Sequence, residues 1–407
     1  MSWEKVKLGD ISANIQTGPF GSQLHQSDYS EEGTPVVMPK DLVAGHISEA
    51  SIARVSDDHV SRLNRHKIQV GDILYSRRGD VGRCAFATEY EKGWLCGTGC
   101  LRVTIDTEKA VPKFVFYQLQ KAETIGWVEK HAVGSTMLNL NTSILSNVPV
   151  ELPPIAEQKR IVEILSAFDA LIENNQKQIK LLEEAAQRLH KEWFVDLRFP
   201  GYENTPIVDG VPEGWKTGRA DSFFNISIGK TPPRAEKQWF TENGKGIPWI
   251  SISDMGSSST FVFHTSEELT TDAISKHNVR VVPADTILVS FKLTVGRVSI
   301  ATANTCTNEA IAHFLLPDTS MREYSYLYLK CFEYDSLGNT SSISKAVNSK
   351  IIKAMDFIMP DQTIIEQFHE VAKPILDAIR DKQEMNHKLA EARDRLLPKL
   401  MNGEIEV

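Results

Sequence analysis

The chain has 407 residues and a formal net charge of −8, with 41% hydrophobic and 24% charged residues. That suits globular domains of ordinary size and leaves no apolar run long enough to span a membrane. The five cysteines include only one close pair, Cys96 and Cys100, with no second pair or His cluster nearby, so buried reduced thiols and a cytoplasmic protein are expected.

Residues 1–153 read as a mixed α/β domain. Strands are expected at Thr34–Met38, Ile47–Ile52, Asp72–Ser76, Ala85–Thr88 and Leu101–Ile105. Helices are expected from Pro112 to about Lys121 and over Lys121–Lys130. Residues 154–198 change character. Ile161, Leu165, Phe168, Ile172, Ile179, Leu182, Ala186, Leu189 and Trp193 recur in alternating steps of four and three, with Asn175 in the polar slot. This heptad stripe predicts a helix of roughly 58 Å made to pack on another helix.

A second domain, 199–361, repeats the first. Strands are expected near Ile247–Ile252, Thr286–Ser290, Val298–Thr302 and Ile311–Leu316, and a helix near Tyr324–Glu333. A second spacer helix, 362–407, carries the stripe Ile365, Phe368, Ala372, Ile375, Ile379, Leu389, Leu396 and Leu400, interrupted by Lys382, Asn386 and Arg393. Pro374 should kink or split it. The repeat is visible residue by residue. Residues 71–83 align with 285–297 at a constant offset of 214, and Leu140-Asn141-Thr142 answers Val347-Asn348-Ser349. The predicted architecture is therefore α/β (α+β): two duplicated domains separated by two long helices that pair as an antiparallel coiled coil, with pseudo-two-fold symmetry.

Three groups of loops are candidates for a ligand. The first is Gly18, Phe20, Ser22 and Gln23, matched by Lys230, Thr231 and Arg234; glycine-rich turns let backbone N–H groups approach phosphates, or are simply tight turns. Gly229-Lys230-Thr231 lacks the upstream glycine of a nucleotide-binding P-loop, since Phe224 stands there. The second group is Arg77 and Arg78, matched by Lys292, directly after a hydrophobic strand. Arginine can grip guanine O6 and N7 in a fork, and adjacent arginines point opposite ways. The third is Lys40, Ser253, and the Ser135-Thr136 and Ser341-Ser342 loops, which lie before Asn139–Asn141 and Asn348; these side chains suit base edges or turn capping equally.

No methyl-transfer tetrapeptide, cofactor fingerprint, metal-ligand spacing or nuclease group stands out. Charge gives no lead to DNA: residues 1–154 carry 16 basic against 18 acidic side chains, and 199–360 carry 15 against 17. A DNA binder so balanced must gather its cations on one face or borrow them from partners.

Taken together, certain features resemble the DNA-specificity subunits of type I restriction-modification systems over essentially the whole chain. They are the openings Trp3…Leu8-Gly9-Asp10 and Trp215…Ala220-Asp221, the duplicated Asp72–Arg83 and Thr286–Arg297 segments, the Pro153-Pro154…Glu157-Gln158 lead-in to the first helix, and Pro212-Glu213-Gly214-Trp215. The resemblance implies a non-catalytic subunit that binds double-stranded DNA. Each domain would read one half of a split, asymmetric target, and the helix pair would set the gap. It also implies two modification (methyltransferase) subunits and two restriction (translocase/nuclease) subunits as partners, with S-adenosylmethionine, ATP and Mg2+ held by those partners. Gln176, Lys180, Glu184 and Gln187, off the stripe of the first helix, are candidates for the modification subunit. The competing readings are a self-sufficient methyltransferase or nuclease, and an anti-restriction or scaffold protein that binds the modification subunit without reading DNA.

Overall fold

The computed structural model describes residues 3–20, 23–134, 137–242, 244–338 and 347–407. The chain forms two compact units: Met1–Ala170 with Leu389–Val407, and Leu171–Lys388. Each contains part of both long helices, Ile155–His190 and Gln362–Met401.

In the first unit, Glu4–Lys7 pairs with Pro149–Leu152. A four-stranded antiparallel sheet runs in the order Ser12–Thr17, Cys100–Ile105, Ile73–Ser76, Cys84–Phe86. A second sheet runs Leu95–Cys96, Thr34–Val37, Ala53–Val55, Tyr29–Ser30, its first pair parallel. The second unit repeats each part. Lys216–Arg219 pairs with Asp356–Met359. The order Asn225–Ile228, Ile311–Leu315, Ile287–Ser290, Val298–Ala301 recurs, extended by Phe261–Val262. Cys306–Thr307, Ile247–Ile250, Glu267–Leu269 and Phe240–Thr241 form the other sheet, its first pair again parallel. The duplication read from sequence is thus a duplication of topology, down to the parallel pair in the second sheet of each unit, while the added Phe261–Val262 strand brings a further parallel pair with Val298–Ala301.

The long helices are core elements of both units. In the first, Ile161, Leu165, Leu400 and Met401 pack with Phe114, Tyr117, Leu140 and Val150. In the second, Ile179, Ala186, Ile365, Phe368, Ala372, Leu376 and Ile379 pack with Phe261, Val289, Phe314 and Tyr324. Within each unit the two helices run antiparallel. Asn175 meets Asn386 while Phe194 meets Phe368, and Asp169 meets Arg393. The predicted stripe slips once, since Leu376 is fully buried where Ile375 is only half-buried.

Pro374 does not split the second helix. It stands exposed, and buried Phe368, Ala372, Leu376 and Ile379 on either side hold the helix to the domain. Burying Phe368, Leu376 and Ile379 is worth about 2 kcal/mol each, which together exceeds the roughly 3 kcal/mol that a proline costs inside a helix. Gly403 (φ +69°) caps the end, with Glu404 N–H donating to Lys399 O at 2.9 Å.

The Ile47–Ile52 strand does not form as expected; His46–Ile47 and Ala53–Val55 belong to different sheets, with a turn between. No described helix is long and apolar enough to cross a membrane.

Candidate nucleic-acid interface

In each unit, described residues of the first two loop groups meet segments that flank the third. In the first, Ser12–Thr17 and Ile73–Ser76 end where Cys100–Ile105 begins, as the pairs Leu101–Thr17 and Cys100–Ser76 require. The chain leaving these ends is stitched into one rim. Gly18 N–H donates to Cys100 O (2.9 Å), Arg77 N–H to Gly99 O (2.7 Å), Leu140 N–H to Arg77 O (2.8 Å), and Gly97 N–H to Val37 O (2.9 Å). Thr98 Oγ donates to Pro19 O at 2.7 Å.

The second unit builds the same rim. Gly229 N–H donates to Ile311 O (3.1 Å), Lys230 N–H to Thr307 O (2.9 Å), Phe291 N–H to Ala310 O (2.9 Å), Val347 N–H to Phe291 O (3.0 Å), and Asn308 N–H to Ile250 O (3.1 Å).

Gly18 and Gly229 are required by chain crossing rather than by a phosphate. A Cβ on Gly18 would lie 2.0 Å from Gly97 O, and one on Gly229 2.0 Å from Thr307 Oγ. Their N–H groups are already engaged, so the phosphate-cradle expectation does not hold at either glycine.

The side chains divide clearly. Arg78 is exposed at the rim, and Arg77 beside it is half-buried with its Nε buried and unpaired. Phe20 is exposed, and Gln23 is half-buried, its carboxamide oxygen accepting from Phe20 N–H at 3.4 Å. In the second unit Lys230 and Ser253 are exposed, and Lys292 is half-buried with its ammonium 5.6 Å from the Phe291 ring. Thr231 hydrogen-bonds Glu309. Burial raises the Glu309 carboxyl, but the Thr231 hydroxyl, a backbone N–H and the charges of Lys292 and Arg234 outweigh it and hold the group below the usual carboxylate range. Glu309 therefore sits on this rim as an anion, a group that sequence reading missed.

Two expected cations, both exposed, also make contacts within the chain. Lys40 donates to Ser51 O at 2.6 Å. Arg234 Nη1 donates to both carboxylate oxygens of Glu267 at 2.6 and 2.8 Å, and the guanidinium lies 4.5 Å from the Phe240 and Trp249 ring centres. Ser22, Ser135, Thr136, Ser341 and Ser342 lie outside the described residues. Asn141 and Asn348 are helix caps, accepting from Ile144 N–H (2.8 Å) and from Lys350 and Ile351 N–H (both 2.9 Å). The Gly97-Thr98-Gly99 and Asn308-Glu309 segments belong to the rim although no sequence argument singled them out. The glycines flanking Thr98 were the available signal.

On the first long helix, Gln176, Lys180 and Gln187 are exposed, and Glu184 lies 3.9 Å from Arg188. Among the described residues, no group of three His, Cys, Asp or Glu side chains is placed to hold a metal ion.

A doubled rim of backbone-stitched loops, carrying different side chains in each copy and built on domains threaded by paired long helices, defines a duplicated recognition protein. The chain belongs to the type I restriction modification DNA specificity domain family, whose profile matches residues 1–184 and 212–386. It is 25% identical to the type I restriction enzyme MjaIX specificity subunit of Methanocaldococcus jannaschii, covering 100% of this chain and 94% of that protein. It is also 25% identical to the HindI specificity subunit of Haemophilus influenzae, covering 99% of both. The fold is shared with the S subunit of a type I restriction-modification system from M. genitalium, at a TM-score of 0.59 and 16% identity, over 98% of this chain and 96% of that one.

Proposed function

We propose that this chain is the DNA-specificity subunit of a type I restriction-modification system and that each unit reads one half of a split DNA target. The observation that carries the reading is the repeated rim with unlike side chains: Arg78 and Gly79 in one copy, Lys292 and Leu293 in the other. The shared topology gives two readers, and the differing side chains give two different half-sites. Exposed Arg78 suits a bidentate contact with guanine, and Lys292 supplies a point charge to a base edge or phosphate.

The paired helices set the unread gap, and residues 154–198 and 362–407 are their functional extents. Two modification subunits dock along them, with Gln176, Lys180, Glu184 and Gln187 as contacts, and two restriction subunits complete the complex. In this reading the chain itself is non-catalytic and cytoplasmic. S-adenosylmethionine, ATP and Mg2+ belong to the partners, and no chemical step is assigned to this chain.

The test is a genome-wide map of methylated adenines in cells expressing the chain with its cognate modification subunit. A split motif with two unlike halves and a fixed gap is expected. A continuous motif would remove the two-reader arrangement, and absence of methylation by a folded, associated complex would remove the specificity role.

A further inference from the structure

Leu293 is the outlier of the second rim. It is 74% exposed and its φ is +62°, in the left-handed region that branched side chains avoid. A single exposed leucine is ordinary on a protein surface. An exposed leucine held in a glycine-like conformation at a candidate ligand face is not, because neither backbone preference nor burial in this chain favours it there.

The loop beneath it is fixed. Ser290 Oγ donates to Thr294 O at 2.5 Å and accepts from Arg297 N–H at 3.0 Å, and Gly296 N–H donates to Ser290 O at 2.9 Å. The tip therefore presents Lys292 and Leu293 on a rigid base. The first unit uses the same left-handed geometry at the aligned position, but with a glycine: Gly79, φ +74°, with open space where a Cβ would stand. The backbone accommodates the position without a side chain, and only the second unit places an apolar one there, beside a cation.

We propose that Leu293 makes an apolar contact with DNA bases in the second half-site and sets the preference at one position of it. This rests on the reading that the second unit recognises one half-site. Two base features would accept a leucine: the 5-methyl group of thymine in the major groove, or an opened base step entered by an apolar wedge. Both are contacts with bases and not with phosphates.

The test uses the full chain assembled with its modification subunit, comparing wild type with L293G. Glycine suits the backbone at this position, so the melting temperature should hold; L293S, which keeps the Cβ but loses the apolar surface, is the second variant. The methylated-adenine map should show selectivity at one position of the second half-site falling about tenfold, the scale of one mismatched base pair, with the first half-site and the gap unchanged.

At that position, a duplex with deoxyuridine in place of thymine separates the two sources. Equal loss in wild type, with L293G indifferent, supports the methyl contact. No effect of deoxyuridine, together with a 2-aminopurine signal at that step that rises with wild type and not with L293G, supports the wedge. An unchanged split motif in both variants overturns the Leu293 inference while leaving the two-reader arrangement intact. Uniform weakening on all sequences also overturns it, since that marks a backbone contact. A wild-type motif that is not split overturns the underlying reading instead.

Discussion

Asn175 and Asn386 meet in the seam of the paired helices, the amide of Asn175 donating to the carboxamide oxygen of Asn386 at 2.9 Å. Asn175 is 6% exposed, and Asn386 also donates to Ile172 O at 3.4 Å. A polar pair in an apolar seam holds only the register in which the partners face each other. N175L should destabilise the protein by about 1–3 kcal/mol because the carboxamide oxygen of Asn386 loses its donor. N175L/N386L should recover that loss while loosening register. Denaturant titration of the three proteins checks the energies; a double variant as unstable as the single one would show that packing, not pairing, governs the site.

Arg322 anchors the second reader to the second long helix. It is 7% exposed and bonds Asp285 (3.0 Å), Glu323 (2.8 Å) and Asp377 (3.0 Å), while Glu323, with no exposure, also contacts His369 at 2.5 Å. Replacing Arg322 with methionine removes the cation and leaves Glu323 buried with His369 alone. The expected loss is about 3 kcal/mol, read as a lower denaturation midpoint. R322M/E323Q should be less damaging than R322M, and equal loss would mean that the methylene packing of Arg322 matters more than its charge.

Acid should loosen the second unit at His190. This residue is 3% exposed, both ring nitrogens lack partners, and Phe194, Tyr324 and Phe368 surround it. Burial alone pulls its pKa down to about 4. The unfolded chain binds this proton near pH 6.5 and the folded chain refuses it until about 4, so stability is full above 6.5 and falls as the pH drops through that window. His66 and His313, also drawn to about 4, add the same sign. H190F should remove on the order of 1–2 kcal/mol of the difference in stability between pH 7.5 and 5. Melting curves at both values decide it, and an unchanged pH slope would mean that the pocket admits the charged ring.

Periodicity and repetition carry much of the fold. The heptad stripe marks the long helices because a narrow apolar seam sustained over so many turns is buried only by packing against a second helix. The offset of 214 aligns the loops of the two units from sequence alone. The strands Ser12–Thr17 and Asn225–Ile228 escape sequence reading because each alternates over only two apolar residues, Ala13 and Ile15 or Ile226 and Ile228; what makes them strands is a neighbour far along the chain. The rim is legible only in part. Arg78 and Lys292 stand out because they follow hydrophobic strands. Lys40 and Arg234 show the limit: that Ser51 and Glu267 reach these exposed cations is set by tertiary contact and is not visible in the sequence.

Arg78 and Lys292 should each act on their own half-site. R78A is expected to relax one position of the first half-site by about 1–3 kcal/mol of discrimination, leaving the second intact, as a lost bidentate contact would. K292A should do the converse if Lys292 touches a base edge. The diagnostic is the salt slope of DNA binding by the assembled complex together with its methylation motif. A uniform loss of affinity with a shallower slope would reassign either residue to a phosphate.

The proposed role of the paired helices as a ruler can be tested by lengthening both. Seven residues added to each helix, beside Asn175 in one and Asn386 in the other, preserve the 3.5-residue periodicity and the facing of the seam. The insertion adds about 10.5 Å of rise, the length of about three base pairs of duplex at 3.4 Å each. Because the inserts fall outside both rims, the two half-sites should stay the same while the gap between them lengthens. Methylated-adenine mapping of cells carrying the insertion protein reads both properties at once. A gap that keeps its length, in a complex that still methylates, would mean that the partner subunits and not these helices set the spacing.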